Sequence, residues 1–346
     1  MLSGNCVLLL MRFLIFLCAI GCCLRSYAQQ QVVCEGKAQG TYYIVKYLTD
    51  SDTSSRRKAF DSIFAVIDQS LSLYLPGSLI NRFNSGTAVV TDEHLHAVIT
   101  KALSVSNWTG GAFDITVKPL VDLWGFGVVR PAHPVVPPPD SIRAAMRHVG
   151  YQHLQLKGRQ LRKRQPGVAI DCNGIAQGYT VDVIGRYLEA QGIRNYLVDV
   201  GGELRARGRN QKGLPWSVGI ERPSGEDDEV APATGILRLN DKAVATSGNY
   251  RRFFDQGGTR FAHTIDPHTG AALHSNIVSV TVLAPDCITA DGFDNALILM
   301  GVEKGIKFVQ QHREFGLEVY YIFKDEQGHI TERYSPGFAT YLEAAE

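Results

Sequence analysis

The chain has 346 residues, of which 45% are hydrophobic, 20% charged and 9% aromatic, a composition that excludes a disordered chain, a collagen and a coiled coil. With 35 basic against 34 acidic residues the formal net charge is +1. No global field gathers a polyanion, and nucleic acid is not an expected partner.

Residues 7–23, VLLLMRFLIFLCAIGCC, are apolar except for Arg12. Read from Met11, one positive charge, a short apolar run and Ser26-Tyr27-Ala28 form the pattern of a secretory signal cut after Ala28. The run after Arg12 falls short of the roughly 20 residues that span a bilayer. Ala19-Ile20-Gly21-Cys22 also resembles a lipoprotein box, in which Cys22 would be acylated and kept at the membrane. Either route exports the protein. The expected organisation is a signal segment over 1–28 and one unit over 29–346, in a periplasmic location, soluble or held by a lipid anchor. Of seven cysteines, Cys34, Cys172 and Cys287 remain in that unit. They have no C-x-x-C spacing and read as small buried apolar residues.

Gly40–Leu48 is rich in Tyr, Val and Ile, as in a strand. Phe60, Ile63, Phe64, Ile67 and Leu71 recur at helical spacing over 56–72. A second helix starts near Asp92 and ends at Gly110-Gly111. Five prolines between Arg130 and Asp140 make a surface linker, after which Asp140 and Ser141 can cap a short helix through Met146. Leu154–Leu161 reads as a hairpin, and strand, helix and strand follow from Val168 to Val200. Beyond lie β-type runs at 216–220, 236–239, 243–246, 261–265 and 277–284, then a helix from about Thr289 to Met300. Runs of strands without βαβα alternation predict an α+β fold.

Four patterns carry chemistry. Asp291, Asp294 and Asn295 fall at i, i+3 and i+4, one face of a helix. Three oxygen donors so placed suit a hard ion such as Mg²⁺, and first-turn acids that favour the helix dipole give the same spacing. In Asp171-Cys172-Asn173-Gly174-Ile175-Ala176-Gln177-Gly178, Asn173 can cap a helix whose glycines leave one face bare. Such an N-terminus suits a pyrophosphate, and close helix packing is the alternative. In Gly110-Gly111-Ala112-Phe113-Asp114, Phe113 could stack on a planar ring and Asp114 could accept from hydroxyls. In the segment from His263 to Gly270, either His263 or His268 could serve as a base near neutral pH.

At these residues the chain resembles the ApbE family, the FAD:protein FMN transferases. The resemblance runs in family order through Gly40-Thr41-Tyr42-Tyr43, Leu71–Tyr74 with Asn81–Asn84, Gly111–Val117, Leu123–Gly127 and Gly174–Tyr179. It continues through Tyr196–Glu203, Thr246–Arg251, His263–Pro267 and Ala290-Asp291-Gly292. It implies an ApbE-like fold of twisted antiparallel β-sheets with flanking helices, FAD as substrate and Mg²⁺, or Mn²⁺, as the ion. Asp291 and Asp294 correspond to its metal carboxylates, Gly174 to a carbonyl ligand, and Asn295 to a position usually Thr. Gln39, Tyr74, Ala112, Phe113, Asp114, Asp171, Gln177 and Ile265 correspond to FAD-contacting positions, with Gln39 where Met is usual and Gln177 where a charge is common. His263 corresponds to the base for the acceptor hydroxyl. The implied partner is an exported flavoprotein that receives FMN on a Ser or Thr with release of AMP. Two other readings stay open, an FAD pyrophosphatase and a flavin-binding protein without turnover.

Overall fold

The computed structural model describes residues 29–50, 56–223, 230–248 and 253–343. The signal segment, the lipoprotein box and Asn249 to Arg251 lie outside these residues.

The chain opens with a hairpin of β1 (Gln30–Ala38) and β2 (Thr41–Thr49), turned by Gln39 at φ 52° and Gly40 at φ 76°. Helices α1 (Arg56–Leu71) and α2 (Leu79–Ser85), strand β3 (Ala88–Val90) and helix α3 (Glu93–Trp108) follow. After two short helices, α4 (Lys118–Leu123) and α5 (Pro139–Met146), come β4 (Leu154–Lys157), β5 (Gln160–Lys163) and helix α6 (Ala176–Ala190). Strands β6 (Tyr196–Val200), β7 (Glu203–Arg207), β8 (Trp216–Pro223), β9 (Val230–Leu239) and β10 (Lys242–Gly248) form a run. The hairpin β11 (Phe253–Gln256) and β12 (Thr259–Ala262) precedes β13 (Ile277–Ala284), helices α7 (Cys287–Met300) and α8 (Val302–Gln311), and strands β14 (Glu318–Lys324) and β15 (Ile330–Tyr334).

Strands from both halves of the chain share one eight-stranded sheet in the order β1-β2-β6-β7-β10-β13-β14-β15. Every named pairing in it is antiparallel, as the α+β reading requires. In β2 the period of two sends Tyr43, Val45 and Tyr47 inward. They pack with Phe60 and Phe64 of α1 and Val181, Ile184 and Leu188 of α6. Farther along the same face, Ala245, Val280 and Val282 meet Ala290, Phe293 and Leu297 of α7 and Val98, Ile99 and Val105 of α3. The opposite face, with Leu197, Leu204, Val244 and Tyr320, is covered by Trp216, Leu237 and Leu239 of the β8–β9 hairpin and by Phe338. Each aliphatic or aromatic side chain fully buried this way contributes about 1.5–3 kcal/mol.

The expected helices at 56–72 and from Asp92 match α1 and α3, and the Asp92 side chain caps α3 by accepting from Leu95 N–H at 2.8 Å. The 154–161 hairpin is present. Cys172 and Cys287 are buried, Cys34 is half-buried, and all three are free thiols.

Four local readings differ. Val168–Ile170 joins no sheet; instead Asn84 binds the Ile170 backbone on both sides, accepting from its N–H at 2.8 Å and donating to its carbonyl at 2.9 Å. A side chain does there what a ladder would do. Strand β12 ends at Ala262, and Ile265 makes an isolated bridge to Ala272. Helix α5 begins at Pro139 with no side-chain cap, because a proline in the first turn has its φ preset and needs no N–H partner. Helix α7 starts at Cys287, capped by Asp286 through Thr289 N–H at 3.0 Å, two residues before the expected start.

Candidate active site

Helices α6 and α7 meet at the centre of the candidate site. Their approach depends on Gly178, where an added Cβ would stand 2.7 Å from Asp291 Cβ and press against the Cys287 carbonyl. At that separation Gly178 N–H donates to Asp291 Oδ2 at 2.8 Å.

Asp291 and Asp294 are both buried, at 4% and 2% exposure, and lie on one face of α7 as the i, i+3 spacing dictates. Burial pushes the Asp291 carboxyl up to about 7. Burial also drives Asp294 well above the usual carboxylate range, helped by the negative charges of Asp291 and Glu203. Asn295 donates Nδ2 to Asp294 Oδ1 at 2.8 Å. Two buried carboxylates held side by side repel unless a proton or a cation lies with them. Among the described residues no group of three or more His, Cys, Asp or Glu forms a metal cage, so an ion here would take two carboxylates plus neutral oxygens. That donor set fits Mg²⁺ or Mn²⁺, which retain water and bind through one or two carboxylates.

Gly174 lies beside these groups: a Cβ there would stand 3.0 Å from Asn295 Nδ2 and 3.7 Å from Phe113 Cε2. The segment leading into α6 is more committed than the capping pattern implied. Asn173 is not the cap, because the cap position is Ile175 and no side chain serves it. Asp171 Oδ1 takes Asn173 N–H at 2.8 Å, and the N–H groups of Ile175 and Ala176 turn back onto the Cys172 carbonyl at 3.1 and 2.9 Å. Gly178 N–H is given to Asp291, so the glycine at 178 serves the close packing of α6 on α7, while the helix start has no side-chain cap.

Asp171 N–H donates to Ile115 O at 2.7 Å, tying this segment to the Ala112–Asp114 loop. In that loop Phe113 is 6% exposed and belongs to the main core. Asp114 Oδ1 accepts from Thr116 N–H at 2.8 Å and Thr116 Oγ1 at 2.7 Å, and Oδ2 accepts from Tyr151 N–H at 2.6 Å. Asp114 thus holds the loop with three internal bonds.

Gln177 lies against Gly201, whose added Cβ would be 2.9 Å from Gln177 Nε2. Gln39 Nε2 donates to Thr180 Oγ1 on α6 at 3.1 Å and to Asp68 Oδ1 on α1 at 3.3 Å, while its Oε1 is buried without a partner. Tyr74 stands in the turn after α1 and is 57% exposed. Ile265 is buried in a separate cluster with Leu120, Trp124, Phe254 and Ala272. His263 borders the same cluster, its ring edge-on to Phe126 at 6.5 Å and 73°.

Asp182 was not anticipated. It is 1% exposed and accepts from Cys287 N–H at 3.1 Å and Ile288 N–H at 2.9 Å, with Arg205 Nη1 at 2.8 Å. It fixes the first turn of α7 from a neighbouring helix. The available signal was Gly178, Asp182 and Gly185 at i, i+4 and i+7, a helix face whose one large group is a carboxylate.

The ApbE family model matches residues 39–321. A FAD:protein FMN transferase of Vibrio cholerae is 37% identical over 321 residues, covering 90% of this chain and 93% of that one. One from Escherichia coli is 35% identical over 328 residues, covering 92% and 91%. The solved flavin transferase ApbE from Vibrio cholerae superposes with a TM-score of 0.82 at 36% identity, over 91% of this chain and 100% of that one. The apbe protein from Thermotoga maritima gives 0.79 at 29% identity, over 91% and 100%. The chain belongs to the ApbE family.

Proposed function

We propose that the protein transfers the FMN half of FAD to a Ser or Thr hydroxyl of an exported flavoprotein, with Mg²⁺ bound and AMP released. The observation that carries this reading is the buried pair Asp291 and Asp294 beside Gly174, a concentration of oxygen ligands whose negative charges repel near neutral pH unless a proton or a cation joins them. The curated relatives named FAD:protein FMN transferase support the same reaction.

In this reading Asp291, Asp294, the Gly174 carbonyl and the Asn295 side-chain oxygen would hold the ion, which supplies positive charge against the FAD pyrophosphate. The Ala112–Asp114 loop, with Gln39, Tyr74, Asp171, Gln177 and Ile265, orients FAD. His263 takes the proton as the acceptor oxygen attacks the phosphorus bonded to the FMN half. The new P–O ester forms, the pyrophosphate P–O bond breaks, and AMP leaves with the second phosphate. Such an exchange needs positioning and charge neutralisation more than covalent help from the protein. The leader reading supports export, with Cys22 lipidation as the alternative to a soluble form. Mass measurement of the mature N-terminus separates them.

The test is AMP release from FAD in the presence of an acceptor, with Mg²⁺, with chelator, and with Asp291→Ala. Activity dependent on both the ion and Asp291 is expected. Full activity in chelator would contradict the metal assignment.

A further inference from the structure

The turn from Asp266 to Gly270 is fastened at two points to a distant part of the chain. Trp124 Nε1 donates to the Gly270 carbonyl at 2.8 Å. His268 Nε2 lies 3.0 Å from the Gly110 carbonyl, and since a carbonyl only accepts, Nε2 carries the proton. The turn is rigid in its own right. Asp266 Oδ1 accepts from His268 N–H at 2.8 Å, and Oδ2 accepts from Thr269 Oγ1 at 2.8 Å. Gly110 and Gly111 both have positive φ, 61° and 89°, and a Cβ at Gly111 would stand 3.5 Å from His268 Nε2. The imidazole therefore lies directly on a backbone that favours glycine.

Each side of this contact leads to a different part of the candidate site. On one side, Gly110-Gly111 continues into Ala112, Phe113 and Asp114, and Phe113 lies against Gly174 next to Asn295. On the other side, five residues back along the chain from His268, stands His263. We propose that His268 is a positioning residue that sets the FAD-binding loop in register with the segment that leads from the base, His263, into this turn. This inference rests on the transferase reading, and it assigns to His268 a role distinct from that of His263.

Displacement of reacting groups by about 1 Å can cost on the order of 100-fold in rate. His268→Ala should therefore lower the kcat of FMN transfer by about 10- to 100-fold, with FAD affinity, read by quenching of flavin fluorescence, changed less than about threefold. Gln places an amide N–H near the position of Nε2, so His268→Gln should recover kcat to within about threefold of the parent. Thermal melting of all three proteins checks folding. The proposal is overturned if His268→Ala keeps kcat within about twofold, if Gln is no better than Ala, or if the loss lies in FAD affinity. A parent protein that binds FAD and transfers nothing under the same conditions would refute the transferase reading instead. The two failures are thereby distinguished.

Discussion

Gly178 donates its backbone N–H to Asp291 across the contact of two helices, at 2.8 Å. One glycine thus serves two purposes: its missing side chain lets α6 and α7 approach, and its N–H orients a carboxylate that would bind the ion. Gly178→Ala forces the new methyl against the Cys287 carbonyl and Asp291 Cβ. Backbone cannot yield as a flexible side chain can, so the variant should lose about 1–3 kcal/mol of stability. Mg²⁺ binding should weaken in parallel, which calorimetry measures beside the thermal melt.

Asp291 should impose opposite effects on stability and on activity. Its folded carboxyl is pushed up to about 7 by burial, whereas an unfolded Asp titrates near 4. The folded state then holds the proton more tightly, so the stabilising contribution is complete below about pH 4 and is lost as pH rises through about 7. Metal-free protein should melt at a lower temperature at pH 8 than at pH 5, and the difference should shrink in Asp291→Asn. Mg²⁺ should raise the melting temperature more at pH 8 than at pH 5. The same substitution should reduce FMN transfer by at least about 100-fold, the scale of losing a group that positions charge at the reacting phosphorus.

Asp182 holds the helix that carries the carboxylates. Asp182→Ala removes the acceptor for Cys287 and Ile288 N–H and leaves Arg205, whose remaining carboxylate neighbour is Glu189 at 3.4 Å. Breaking a buried ion pair from one side costs about 3–5 kcal/mol. Denaturant unfolding should show a loss of that order.

Asn295 donates to Asp294 Oδ1 at 2.8 Å, occupying an oxygen that an ion would use. Asn295→Thr, the residue that the sequence resemblance leads one to expect here, replaces the amide donor by a shorter hydroxyl whose lone pairs can face the ion. Mg²⁺ affinity should rise by about 10-fold, a typical effect of a group that adjusts a metal ligand. An unchanged affinity would show that the amide turns aside at no cost.

Much of this architecture was legible because its signals are local. The strand over Gly40–Leu48, the single helix face shared by Asp291, Asp294 and Asn295, and the helix start near Asp92 each rest on a few neighbouring residues, and all three elements are present. What escaped depends on residues far apart in the chain. Val168–Ile170 has the apolar character of a strand, yet its partner is a side chain 86 positions earlier. His268 reads as a candidate base beside His263, and nothing local reveals that its partner is a carbonyl 158 positions away. Asn173 has the chemistry of a cap, but the helix starts at Ala176, with Ile175 in the cap position and no side chain serving it.

The central claim is transfer rather than hydrolysis or binding. Its most direct test is the intact mass of a candidate exported flavoprotein after incubation with residues 29–346, FAD and Mg²⁺, with AMP followed in parallel. The account predicts an acceptor heavier by one FMN residue on a Ser or Thr, with AMP formed in equal amount. An unmodified acceptor with AMP formed equally fast in its absence, or FAD intact throughout, would contradict it.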